Sequence, residues 1–227
     1  MDRVESKQAK ALVAPTMRPL AKNAGFRTRS GCLYAIRDGF LLVCCALYLD
    51  SASEQFAKGE ARLLVDLSVK TVESDQVLWR ICQMTDELDQ YSVDPILGGH
   101  VVQSVDVAER TFPIGSLDDV ARVCQQVVGF AIAGFASFLD SVGTSLDGFY
   151  RYVLGLDPSC LWYSEIIFPI AYIQLGDYRA ALEYLNLVGH NAGALNHLAK
   201  RRSMGYHLAE YCKAHLGESR PVSLSHG

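Results

Sequence analysis

The hydrophobic rhythm of this chain changes once, between Thr111 and Ser116. Upstream, the best-patterned segments alternate with period two, which puts every second side chain on one face of a strand. Downstream, apolar residues recur with period 3.6, the spacing of one helix face. A single change of period predicts strands gathered at the front and helices gathered at the back. The fold class is therefore α+β.

The front half gives the more detailed reading. Val4–Ala14 is expected to form an amphipathic helix with Val4, Ala11 and Leu12 on one side. Pro15 should stop or kink it, and Pro19 suits the first turn of a second short helix, Arg18–Asn23. Gly25 is placed to cap that helix. Cys32–Arg37 and Phe40–Leu49 read as two strands joined at Asp38-Gly39, a dipeptide that tolerates positive φ at both positions. Phe40–Leu49 is apolar on both faces, as in a central strand. Ala61–Val69 alternates cleanly, with Ala61, Leu63, Val65, Leu67 and Val69 on one face. Gln76–Leu88 is read as a helix, Tyr91–Gly99 as a loop, and Val101–Phe112 as the strand that completes the sheet, with Val101, Val105 and Val107 on its buried side.

Behind the change of period, Ser116 and Asp119 resemble a capping box that opens a helix reaching Leu139. Its inward residues are expected to be Val120, Val123, Cys124, Val127, Ile132 and Phe135. Ser145 caps a helix over Leu146–Leu154. Asp157-Pro158 opens another, through Pro169, to Leu175. Gly176 ends that one and Asp177 caps Tyr178–Val188, and a last helix covers Ala194–Leu216. Residues 171–187, AYIQLGDYRAALEYLNL, resemble the inter-helix turn of a tetratricopeptide unit, but no second copy follows about 34 residues on. The first long helix is apolar enough to cover the sheet. This assigns residues 1–143 to an α+β domain with an N-terminal helix and about four antiparallel strands, 144–217 to a helical region, and 218–227 to a disordered tail.

With Asp and Glu at 25 against Lys and Arg at 21, the formal charge of -4 disfavours a dedicated nucleic-acid binder. The longest apolar run, Val127–Leu139, is shorter than the about 20 residues that span a bilayer. Seven cysteines in mostly apolar runs, with a charged N-terminus, point to unpaired buried thiols and a cytoplasmic protein. Phosphate loops, dinucleotide fingerprints, zinc-protease helices and nucleophile elbows are absent. His207, Tyr211 and His215 share a helix face, but their spacing forms no recognised metal clamp. A catalytic centre, a metal and a cofactor are therefore not expected.

The most suggestive polar feature is an acidic bias between Glu73 and Asp94. Glu73, Asp75, Asp86, Glu87, Asp89 and Asp94 stand there against a single Arg80, with Tyr91 as an aromatic anchor. Such a field steers a basic partner and raises its association rate. These seven residues are the expected partner-binding site.

Leu20-Ala21-Lys22-Asn23-Ala24-Gly25-Phe26-Arg27-Thr28-Arg29, followed by a strand, a turn and a second strand, resembles the bacterial domain-of-unknown-function family four-three-zero-four. That family opens with a helix, a Leu-Lys-x-x-Gly-Phe-like corner, an aromatic-bearing strand and a hairpin. The likeness covers about the first 140 residues, and this chain has Leu47-Tyr48-Leu49 where the family carries a glutamine late in the second strand. Small α+β domains of this kind resemble immunity proteins encoded beside bacterial toxins. The resemblance implies a non-enzymatic cytosolic immunity protein that occludes a cognate secreted toxin by stoichiometric binding, with no nucleic acid and no membrane involved. The alternative is an adaptor that uses the tetratricopeptide-like helical hairpin to hold a partner.

Overall fold

The computed structural model describes residues 3–29, 32–49, 61–81, 105–158, 164–189 and 199–217. Their elements run α1 (Arg3–Asn23), β1 (Arg27–Arg29), β2 (Cys32–Arg37), β3 (Phe40–Leu49), β4 (Ala61–Thr71), α2 (Val72–Ile81), β5 (Val105–Ile114), α3 (Asp119–Val142), α4 (Leu146–Leu154), α5 (Ser164–Gln174), α6 (Tyr178–Gly189) and α7 (Ala199–His215). The fold is α+β. It has an N-terminal helix and one antiparallel sheet in the order β1-β2-β3-β4-β5, one strand more than expected.

The chain forms two compact units. The first joins α1, the sheet and α3, and the second joins α2 to α4 through α7. Helix α2 thus leaves the sheet after Thr71 and packs with the later helices. The second unit resumes at Ser145, beside the expected boundary at 143.

Helix α1 is one element, not two. Pro15 and Pro19 both lie inside it. Both are on its exposed side, where water can reach the carbonyls that lose an N–H partner. Its buried side is Ser6, Ala9, Met17 and Ala21; Val4 and Leu12 face solvent, contrary to expectation. At its end Gly25 takes φ 81°. The Gly25 amide donates to Lys22 O at 3.0 Å and that of Phe26 to Ala21 O at 2.8 Å, a Schellman closure. Phe26 is buried with its ring 6.0 Å from Phe135 of α3, so the corner locks helix, sheet and cover together.

Asp38 and Gly39 turn the β2–β3 hairpin with φ 51° and 82°. Phe40, Leu42 and Cys44 of β3 pair with Thr71, Val69 and Leu67 of β4 and form one buried face with Leu63 and Val65. Helix α3 lies on that face. Gly134 lets it approach so closely that a Cβ there would collide with Leu67 Cδ1. Phe130 meets Phe112 edge-on at 5.7 Å. The Cys124 thiol reaches Val13 O of α1 at 3.8 Å. Ala131, not the exposed Ile132, points inward from α3. Ser116 opens the segment before α3: its amide donates to Asp119 Oδ2 at 2.9 Å, the returning half of the expected box. The helix is 24 residues long and apolar enough, by length and composition, to cross a membrane; here one of its faces is buried against the sheet.

In the second unit Leu78 of α2 joins Ile166, Ile170 and Ile173 of α5, Ala181 of α6, and Leu208 and Cys212 of α7 in one core. Ser145 caps α4 by accepting from Gly148 N at 3.1 Å, and Asp177 caps α6 by accepting from Ala180 N at 3.0 Å. Gly176, at φ 79°, turns the α5–α6 hairpin.

One expectation about cysteine is corrected. Cys32 and Cys45 form a disulfide. Antiparallel pairing sets them directly opposite each other with Cα atoms 4.3 Å apart, at the short limit for a bridged pair. Cys44, Cys124 and Cys212 are buried free thiols. Burial, aided by Asp66, pushes the Cys44 thiol up to about 12, which keeps it protonated and inert.

Candidate partner-binding face

The sheet has a second face, set by the same alternation that builds the core. On it lie Tyr34 and Ile36 of β2, Leu41, Val43, Cys45, Leu47 and Leu49 of β3, and Arg62, Leu64, Asp66, Ser68 and Lys70 of β4. Leu41 and Lys70, paired at one end, are buried. The rest of the face is more open: Leu47 is 56% exposed and Ile36 48%, while Tyr34, Val43 and Leu64 are half-buried.

Strand β5 adds charge to this face. Glu109 sits directly opposite Asp66, and Asp106 opposite Ser68. Between these pairs the register shifts, so Val107 is an extra residue in β5. This bulge reverses the alternation of β5: Val105 and Phe112, seven apart, both turn to the buried side, and Val107 is only half-buried. It also brings Asp106 and Glu109 onto the same side as Asp66.

Three carboxylates therefore gather at the β4–β5 side of this face, next to Leu64 and across from Val43. Burial, then the charge of Asp66, holds the Asp106 carboxyl above its ordinary value. Like charges directly opposite each other on a sheet are destabilising, by up to about 1 kcal/mol per pair. No described cation forms an ion pair with Asp66, Asp106 or Glu109. The surface has the chemistry to receive a cationic side chain beside an apolar one: lysine or arginine heads on the carboxylates, apolar groups on Leu64 and Leu47.

Of the residues expected to bind a partner, Glu73 is exposed in the first turn of α2 and Asp75 lies in the same helix. Asp86, Glu87, Asp89, Tyr91 and Asp94 lie outside the described residues. The carboxylates that strand register gathers, Asp66, Asp106 and Glu109, are not among the expected residues. Sequence reading missed them because 40 residues separate Asp66 from Asp106 in the chain, and only strand register joins them. The one available signal was Asp66 standing in the polar phase of an otherwise apolar strand.

His215 stacks on Tyr178, with ring centroids 4.4 Å apart, and its Nδ1 lies 2.8 Å from Tyr211 O. Cys212 belongs to the helical core. Among the described residues no group of three or more His, Cys, Asp and Glu side chains is arranged to hold a metal ion.

Comparison with known proteins finds no matching family model, no matching curated protein and no matching solved structure.

Proposed function

We propose that this protein works by stoichiometric binding to a basic protein partner, as an immunity protein does toward a cognate secreted toxin. The observation that carries the reading is the outer sheet face, where Asp66, Asp106 and Glu109 gather on β4 and β5 next to Leu64, with the exposed Leu47 paired to Leu64 on β3. A nucleic-acid-cleaving or membrane-damaging toxin presents a basic surface to its own substrate. An acidic face with apolar knobs competes for that surface, steering the encounter by charge and holding it by apolar burial.

The test starts from the neighbouring open reading frame. If it encodes a secreted protein with a toxic C-terminal domain, co-expression of this chain should restore growth, and calorimetry should give a one-to-one complex. Asp66→Lys with Glu109→Lys should slow association at least tenfold at low salt and by less at high salt. Absence of a complex with that domain, or a complex indifferent to both substitutions and to salt, overturns the proposal.

An adaptor is the second reading. It is favoured by Leu187 of α6 and Tyr206 of α7, which are 71% and 64% exposed on the helical unit. In that case Leu187→Ser and Tyr206→Ser, not the carboxylate variants, abolish capture of the partner.

A further inference from the structure

The buried face of the sheet is not filled everywhere. Along β3 its side chains shrink from Phe40 and Leu42 to Cys44 and then Ala46. Ala14 on α1 is equally short. Between them lies a cleft of about 320 Å³, lined by Lys10, Val13, Met17 and Arg18 of α1, Leu33 of β2 and Ala46 of β3. The volume is at the lower end of the range for small-molecule sites, about 300–1,000 Å³.

The cleft is built, not frayed. Tyr48 OH donates to Ser6 O at 2.9 Å and lies 3.1 Å from Ser6 Oγ, tying the first turn of α1 to the end of β3. The Schellman corner at Gly25 fixes the other end of α1 against β1. Cys32, in the wall, is bonded to Cys45 on the neighbouring strand, so β2 and β3 cannot part there. The helix is thus held at both ends over a gap that small residues leave between them.

The walls and the rim differ in chemistry. Val13, Met17, Leu33 and Ala46 are apolar. Lys10 and Arg18 are exposed, eight residues apart on one stripe of α1, about 12 Å along the axis. Among the described residues neither has an ion-pair partner. An apolar slot with a cation at each end fits an anion carried on an apolar body.

We infer that the cleft between α1 and the β1–β3 end of the sheet is a binding site for a medium-chain fatty-acid carboxylate. The acyl chain lies between Val13, Met17, Leu33 and Ala46, and the carboxylate meets Arg18 or Lys10 at the rim. Leu47 at the rim also belongs to the outer face, but Lys10, Ala14 and Arg18 of α1 do not, so substitutions on α1 test the cleft without touching the carboxylate surface.

The experiment is calorimetric titration of the full chain with decanoate and, separately, with decanol. Decanoate should bind one-to-one in the micromolar range and raise the melting temperature in proportion to the logarithm of its concentration. Decanol, without the charge, should bind at least tenfold more weakly. Ala14→Phe fills the slot from the exposed helix and should abolish binding with the fold intact by circular dichroism. Lys10→Glu with Arg18→Glu, both at the surface, should weaken decanoate at least tenfold and leave decanol unchanged. Equal affinities for acid and alcohol, binding that survives Ala14→Phe, or no binding of decanoate at millimolar concentration overturns the inference.

Discussion

The two faces of this sheet come from one alternation and end in opposite states. The face under α1 and α3 collects Phe40, Leu42, Cys44, Leu63, Val65, Leu67 and Val69, each at or below 1% exposure. The opposite face carries Ile36 and Leu47 half in water and sets Asp66 against Glu109. The strands supply apolar residues to both phases, so hydrophobicity alone does not decide which side becomes core. Cover decides it: Phe26 and the Gly134 contact bring α1 and α3 onto one side only. The side bearing the costs, exposed aliphatics and opposed carboxylates, is the one free to be selected for contact with something else.

The contrast is broken most directly by truncation on either side. Leu67→Ala leaves a hole under Gly134 in the covered face and should cost about 3 kcal/mol in chemical denaturation of the first unit. Leu47→Ala on the open face should cost less than about 0.5 kcal/mol. Comparable losses would mean that the outer face is also core.

Reduction of Cys32–Cys45 comes next. The bridge closes a 13-residue span, and its loss should lower stability by up to about 3 kcal/mol through the unfolded chain. The comparison is the denaturation midpoint with and without a phosphine reductant, with Cys44→Ala as a thiol control that should not alter the response. Peptide mapping of protein taken from cells under alkylating conditions should recover the Cys32–Cys45 cross-link. A midpoint unmoved by reductant removes the bridge from the account of this face. A smaller effect is expected from Glu109→Gln. It relieves the charge opposite Asp66 and should stabilise the fold by up to about 1 kcal/mol, while weakening any cationic partner. Destabilisation would show that Glu109 is held for the fold rather than for contact.

These effects divide along the line between what a sequence carries locally and what register creates. Strands β2 to β4, the Asp38-Gly39 turn and the Gly25 corner were legible because their signals sit within a few residues: alternation, paired positive φ, a glycine after a helical run. The disulfide was not legible, since Cys32 and Cys45 meet only once the hairpin's pairing is known. The bulge was not legible either. One extra residue at Val107 reverses the parity of β5, so Val101, Val105 and Val107 look like one face while Val105 and Phe112 form the real one. Pro15 and Pro19 misled for a different reason: a proline on the wet side of a helix loses a bond that water replaces, and packing of Ala9, Met17 and Ala21 outweighs it. The expected acidic site was read from linear clustering. The acidic site that the fold assembles draws one residue from β4 and two from β5.

The smallest effect is the sharpest probe of that assembled site, because its sign is set by geometry. Burial and Asp66 raise the Asp106 carboxyl, so the folded chain holds that proton more tightly than the unfolded one. Its contribution is fully present at acid pH and is lost as pH rises from its ordinary value near 3.8 through the raised folded value. Asp119, at the head of α3, runs the other way. Hydrogen bonds from Arg122 and Ser116 lower its pKa, so its contribution is present above about 3.8 and is lost as pH falls through the lowered value. Stability measured from pH 2 to 7 should therefore lose its downward component in Asp106→Asn and its upward component in Asp119→Asn. In Asp66→Asn the downward component should shrink without vanishing, because burial is the larger cause at Asp106. An Asp66→Asn profile identical to that of the parent would mean that the two carboxylates do not share a field, and the outer face would then be three separate charges rather than one acidic surface.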